Sequence, residues 1–157
     1  MSLTPVPWLQ IQVELEGGAG IECDPRPGRV LVVGPGHTFL QLAETIDDAF
    51  ARWDLAHLHA FELPDGRFVG LPDTGPPFGD APRWLDHRAV EVVGALVPGD
   101  RFAYTFDLSE VWQHDCVVLE ETVDPLTVFG ERPSRPAIAY GWGWISDQYG
   151  RTASDEE

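Results

Sequence analysis

The chain has 157 residues and a formal net charge of −16, because 26 acidic side chains face 10 basic ones, every one of them arginine. So acidic a surface repels phosphate backbones, and with no run of arginines to offset it the composition argues against a nucleic-acid partner. No apolar run approaches the roughly 20 residues that cross a bilayer, and the N-terminal Met-Ser-Leu-Thr-Pro-Val-Pro lacks the parts of a secretory signal, so a cytoplasmic location is expected.

In chain order, Trp8 to Leu15 alternate apolar and polar residues with period two, the pattern of a half-buried strand. Gly17, Gly18 and Gly20 break it, and Pro25 to Gly28 mark a turn into a short apolar strand from Arg29 to Val33. Cys23 and Cys116 have no metal-type spacing and read as free thiols. Thr38 and Gln41 have capping-box form, and Phe39, Leu42, Ala43, Ile46, Phe50 and Trp53 recur at helical spacing behind them. A helix over about 39–53 is predicted, with Glu44, Asp47, Asp48 and Arg52 on its other faces. Gly34-Pro35-Gly36 before it lacks the lysine and glycine spacing of a phosphate loop.

His57 to Leu63 then read as a strand, closed by Pro64-Asp65-Gly66 onto Arg67 to Gly70. Residues 71–83 hold four prolines and two glycines and are expected to form a long surface loop, a candidate lid. Arg88 to Leu96 fit either a strand or a short helix. Alternating large and small residues from Ala137 to Ile145 suggest a last strand, and the polar residues 152–157 a frayed end. One domain is expected over 1–157, with its core at about 8–150.

The densest chemistry lies at residues 102–116, Phe-Ala-Tyr-Thr-Phe-Asp-Leu-Ser-Glu-Val-Trp-Gln-His-Asp-Cys. Read as two strands about a turn at Asp107-Leu108-Ser109, the alternation puts Phe102, Tyr104 and Phe106 on one face, with Glu110, Trp112, His114 and Cys116 on the matching face. In that register Phe106 opposes Glu110, Tyr104 opposes Trp112 and Phe102 opposes His114. Ser109 would take the left-handed turn position usually held by glycine.

This stretch resembles the plasmid pRiA4b ORF-3-like family, whose signature runs roughly YxYDFGDxWxHxIxLE. Tyr104, Phe106, Asp107, Glu110, Trp112 and His114 stand at matching positions, with Leu108-Ser109 in place of the family's Phe-Gly and Leu119-Glu120 one residue beyond its Leu-Glu. Upstream, Thr38-Phe39, Leu42, Ile46, Ala49-Phe50, Trp53, His57-Leu58-His59 and Phe61 follow the family pattern TFxxLHxxIQxAFGWxxxHLHxF. The chain departs from the family in lacking a Pro-x-x-Trp-Arg-Arg segment after the first strand and the C-terminal PPEDxGG motif. The resemblance implies an α+β, MM3350-like fold and brings no assigned activity.

Pattern and resemblance together give an α+β fold: a mostly antiparallel sheet of about five to seven strands carrying one main amphipathic helix. Three readings of the hairpin follow. It is an aromatic structural device; or Tyr104, Asp107, Glu110, Trp112 and His114 form a binding face for a small ligand, peptide or protein, with Tyr140 to Trp144 as a second wall. Alternatively Asp107, Glu110 and His114 act as an acid/base or metal-assisted hydrolytic group, with His57, His59 and His114 as candidate metal ligands. The spacing completes no known metal or cofactor motif and sets no oligomeric state.

Overall fold

The computed structural model describes residues 7–72 and 84–145, so the lid expected at 71–83 falls almost entirely outside the described residues, as do the chain's end at 146–157 and the N-terminal six residues. The strands are β1 (Leu9–Gly18), β2 (Ile21–Glu22), β3 (Gly28–Val33), β4 (His59–Glu62), β5 (Phe68–Gly70), β6 (Leu85–Asp86), β7 (Arg101–Phe106), β8 (Trp112–Val118) and β9 (Ala137–Trp142). They form one nine-stranded sheet in the order β6-β5-β4-β7-β8-β1-β3-β9, with β2 paired to β1. Every pairing is antiparallel except β5 with β6. The architecture is therefore α+β, as the sequence implies, but the sheet exceeds the expected five to seven strands. The extra ones are the two-residue β2 and β6, too short to carry any periodicity.

The main helix, α1 (Phe39–Ala49), begins as predicted: Thr38 Oγ1 accepts from the Gln41 amide and Gln41 Oε1 accepts from the Thr38 amide. Such a cap is worth about 1 kcal/mol. The helix does not run on to Trp53. Phe50 caps it, Ala51 adopts φ 57°, and the amides of Ala51 and Arg52 donate back to the carbonyls of Asp48 and Asp47. This is a Schellman reversal with alanine where glycine is usual, so the sequence gives little warning of it. The reversal turns Trp53 outward, 51% exposed, and swings Arg52 into the core.

Two shorter helical segments follow among the described residues. Residues 88–96, ambiguous from sequence, give a four-residue turn, α2 (Val92–Ala95), interrupted at Val93 and Gly94. The other, α3 (Pro125–Phe129), is capped by Asp124 and ended by Gly130. The α1 stripe of Phe39, Leu42, Ala43, Ile46 and Phe50 packs with Ile11, Val13, Leu15, Leu31, Phe61 and Val118 in one apolar core on one face of the sheet. Strand β1 alternates buried and half-buried residues, with Ile11, Val13 and Leu15 facing α1, as its pattern requires. Cys23 and Cys116 are free thiols.

Candidate functional site

The hairpin joins β7 and β8 in a register two residues longer than the sequence suggests. Phe106 pairs with Trp112, Tyr104 with His114 and Phe102 with Cys116. Because the shift is even, the shared face survives: Phe102, Tyr104, Phe106, Trp112, His114 and Cys116 all look towards α1 and are buried. Glu110, expected opposite Phe106, is displaced into the connection and exposed. The turn is five residues, 107–111, and its positive φ angles fall at Asp107 (62°) and Val111 (57°) rather than at Ser109. Aspartate tolerates that conformation because its short polar side chain bonds locally. Here Asp107 Oδ1 accepts from the amides of Ser109 and Glu110, at 3.0 and 3.2 Å.

Beneath the turn lies a buried polar cluster that the sequence did not single out. The guanidinium carbon of Arg52 sits 5.7, 5.3 and 5.4 Å from the ring centres of Phe50, Phe106 and Trp112. Its Nη1 donates to the Phe50 carbonyl at 3.1 Å and its Nη2 to His114 Nε2 at 3.0 Å. An arginine can only donate, so His114 Nε2 is the acceptor and the ring proton sits on Nδ1, which donates to the Tyr104 carbonyl at 3.0 Å. Burial and then the Arg52 charge push the His114 pKa down to about 3, so the ring is neutral. Tyr104 donates its hydroxyl to Asp47 Oδ1 at 2.7 Å. Burial raises the Asp47 carboxyl to about 7, against the opposing pull of the Tyr104 hydrogen bond and Arg52. Among the described residues Arg52 Nε has no hydrogen-bond partner.

The three histidines considered as metal ligands are not brought together. His57 lies outside β4; its Nδ1 is 3.4 Å from Asp107 and its Nε2 3.4 Å from Asp54. His59 opens β4 and its Nε2 meets Nδ1 of His87 at 2.8 Å, a pair the sequence did not suggest because His87 is 28 residues on. Burial, and then the charge of His87, lower the His59 pKa to about 4. Among the described residues no group of three histidine, cysteine or carboxylate side chains is placed to hold a metal ion. Nor do the side chains of Asp107, Glu110 and His114 bond one another: that of Asp107 faces His57 and the turn amides, that of Glu110 faces solvent, and both nitrogens of His114 are already engaged.

Around the turn three connections meet. The Asp107 amide donates to the Leu58 carbonyl at 2.9 Å, and the Ala19 amide donates to the Glu110 carbonyl at 2.7 Å. The α1–β4 and β1–β2 connections are thereby tied to the hairpin tip. Ile21, Leu55, Leu58, Leu108 and Val111 are exposed there. Beside Val111 and Gln113 a cavity of about 380 Å³ opens, lined also by Glu16, Ile21, Glu22 and Arg26.

Comparison with known protein families matches residues 8–136 to the plasmid pRiA4b ORF-3-like proteins. The chain belongs to this family. Among solved structures, the pRiA4b ORF-3-like chain resembles MM3350 from Methanosarcina mazei Go1, a crystal structure of a protein of unknown function. The TM-score is 0.62 at 19% identity, over 86% of this chain and 70% of the other, a likeness of fold. No curated protein matches it significantly. The positions that carry the pRiA4b ORF-3-like signature divide sharply in space. Tyr104, Phe106, Asp107, Trp112 and His114 are all buried, and Phe50, Phe61 and His59 pack beside them, whereas Glu110 reaches solvent. Arg52, which links Phe50 to His114 and Trp112, lies with Ala51 between Phe50 and Trp53, where the quoted pattern has a single glycine, so the pattern does not mark it.

Proposed function

We propose that this domain is a binding module whose recognition surface is the turn end of the 102–116 hairpin. Its partner is a polypeptide segment that carries apolar and cationic side chains. The observation behind this reading is the cavity of about 380 Å³ beside the hairpin, with Ile21 and Val111 as apolar walls and Glu16 and Glu22 as carboxylates. The exposed Leu108, Leu55 and Leu58 extend its apolar character across the connections that the turn ties together. A net charge of −16 favours approach by a basic segment. In this reading Glu110 meets the partner directly, Asp107 fixes the turn, and Tyr104, Trp112 and His114 hold the strands that present it.

Titration of the isotope-labelled protein with acetyl-Leu-Arg-Leu-Arg-amide, followed by NMR, tests the proposal. Shifts confined to residues 16–22 and 108–113 support it, with affinity lowered about tenfold or more in Glu22→Arg. Binding unchanged by Glu22→Arg and by Val111→Asp, or no binding at millimolar peptide, sinks it.

A further inference from the structure

The two ends of the sheet are finished differently. At one end β6 is two residues long, too short to offer a continuous ladder, which is how natural sheets blunt an edge. At the other, β9 bonds β3 on one side, and among the described residues no strand lies on its second side. Six residues long, with Ala139 an extra residue in its register with β3, it carries exposed Ile138, Tyr140 and Trp142, followed by Trp144, which is 78% exposed. No charged side chain interrupts it. A row of unpaired backbone groups flanked by large apolar side chains is a template for strand addition.

Charge says which strand fits. Residues 25–43, which include β3, and residues 132–146, which include β9, hold four of the ten arginines and no carboxylate. The acids beside them, Glu44 and Asp48 on α1, line a cavity with Arg135 and Ile138, and Glu44 is paired with Arg135 at 3.1 Å. Two copies of a body with charge −16 repel one another overall, and a rim whose strands carry no carboxylate, with Glu44 offset by Arg135, lets them approach with little local repulsion. We propose that β9 is a self-association edge, on which a second copy of this chain pairs through its own β9, antiparallel and about a two-fold axis. Centred near Ala139, that pairing sets Arg135 of each copy, which keeps its pair with Glu44 at 3.1 Å, beside the Trp142–Trp144 end of the other, where the flat face of the guanidinium can lie over an indole. The two Arg135 groups are then roughly 25 Å apart, beyond the screening length of about 8 Å at physiological salt. An isologous contact of this kind closes on itself and removes the open edge from both copies.

The edge itself is preformed. Arg29 Nη1 donates to the carbonyls of Gly28 and Trp142, at 2.6 and 2.7 Å, and so holds the last residue of β9 against β3. A side chain at Gly28 would collide with the Trp142 ring, which lies flat over that position. Tyr140 and Trp142, with ring centres 6.4 Å apart, stand together as one apolar wall.

Sedimentation velocity of the full chain between about 1 and 100 µM supplies the test. The expected result is a reversible dimer of twice 17.4 kDa, tightened as sodium chloride rises and screens the repulsion between the two acidic bodies. Tyr140→Asp, which substitutes an exposed side chain, is expected to raise the dissociation constant about tenfold or more while its circular dichroism spectrum stays native. Val111→Asp, on the hairpin turn, leaves the dimer unchanged and serves as the control. Sedimentation as a 17.4 kDa monomer throughout overturns the proposal. So does a dimer that survives both Tyr140→Asp and Trp142→Asp, or one that Val111→Asp abolishes.

Discussion

The helix-facing side of the 102–116 hairpin and its turn are built from the same residue types and put them to opposite uses. On the helix side, Tyr104 and His114 meet Asp47 and Arg52 inside a shell of Phe50, Phe106 and Trp112, closed to solvent. At the turn, Asp107 spends its carboxylate on local amides, and Glu110 with its apolar neighbours faces outward. The difference teaches that a dense run of titratable residues is not by itself a working centre. Strand alternation sends every second side chain inward, where a polar group persists only if another polar group meets it. The inward set is a polar network within the core, and the outward set is what a partner could touch.

The largest expected effect tests the first half of that contrast. Arg52→Ala empties the space between three rings and leaves His114 Nε2 without a donor. A loss of about 3–5 kcal/mol in urea unfolding is expected. Arg52→Met refills the space without a charge and removes the unpartnered Nε, so it costs less than about 1.5 kcal/mol. If methionine costs as much as alanine, the guanidinium holds the core by its bonds rather than by filling it. Tyr104→Phe comes next. It strips Asp47 of its 2.7 Å donor inside the core and should cost about 1–3 kcal/mol.

The same cluster sets the pH dependence of stability, and its members pull in opposite directions. His114 and His59 hold pKa values of about 3 and 4 in the fold, below the ordinary 6.5. Between those values the unfolded chain takes up protons that the folded one refuses. Their contribution is thus complete above pH 6.5 and lost as pH falls towards 4 and 3. Asp47 is raised from 3.8 to about 7, so its contribution is complete below pH 3.8 and lost as pH rises through 7. Between pH 4 and 6.5 the two partly cancel, which flattens the profile of the native chain. Asp47→Asn removes one of the opposing terms. Its melting temperature should fall steadily on acidification through that window, more steeply than that of the native chain. Parallel profiles for the two proteins would show that Asp47 does not carry the proton that its burial implies.

Much of the inward set was legible in the sequence. The capping box at Thr38 and Gln41, the Phe39–Phe50 stripe and the shared face of Tyr104, Trp112 and His114 all follow from periodicity, and the structure has them. What stayed hidden depends on local reversals and long-range pairing. Arg52 lay on a presumed polar face because nothing marks a Schellman turn at Ala51 when glycine is absent. His87 meets His59 through the β5–β6 pairing, which no local pattern foretells. One signal was readable and passed over: Asp124-Pro125 with Gly130 five residues on is a capped single turn, and it is α3.

The smallest effects belong to the turn and sharpen the second half of the contrast. Asp107 is there for its backbone: it adopts φ 62° and its Oδ1 accepts two turn amides. Asparagine tolerates the same conformation and offers the same oxygen, so Asp107→Asn should change stability by less than about 0.5 kcal/mol, whereas Asp107→Ala loses both features and should cost about 1–2. Glu110 supplies only its backbone, whose amide donates to Asp107 Oδ1 and whose carbonyl accepts from the Ala19 amide, while its side chain is exposed in the turn. Glu110→Gln should therefore leave unfolding in urea unchanged within about 0.5 kcal/mol, because nothing buried depends on the carboxylate. The carboxylate's value should appear in peptide binding alone, as a weaker complex whose difference from the native one fades as salt rises. A stability loss above about 1.5 kcal/mol in Glu110→Gln would place Glu110 among the structural groups and leave the groove without its outward-facing charge at the turn.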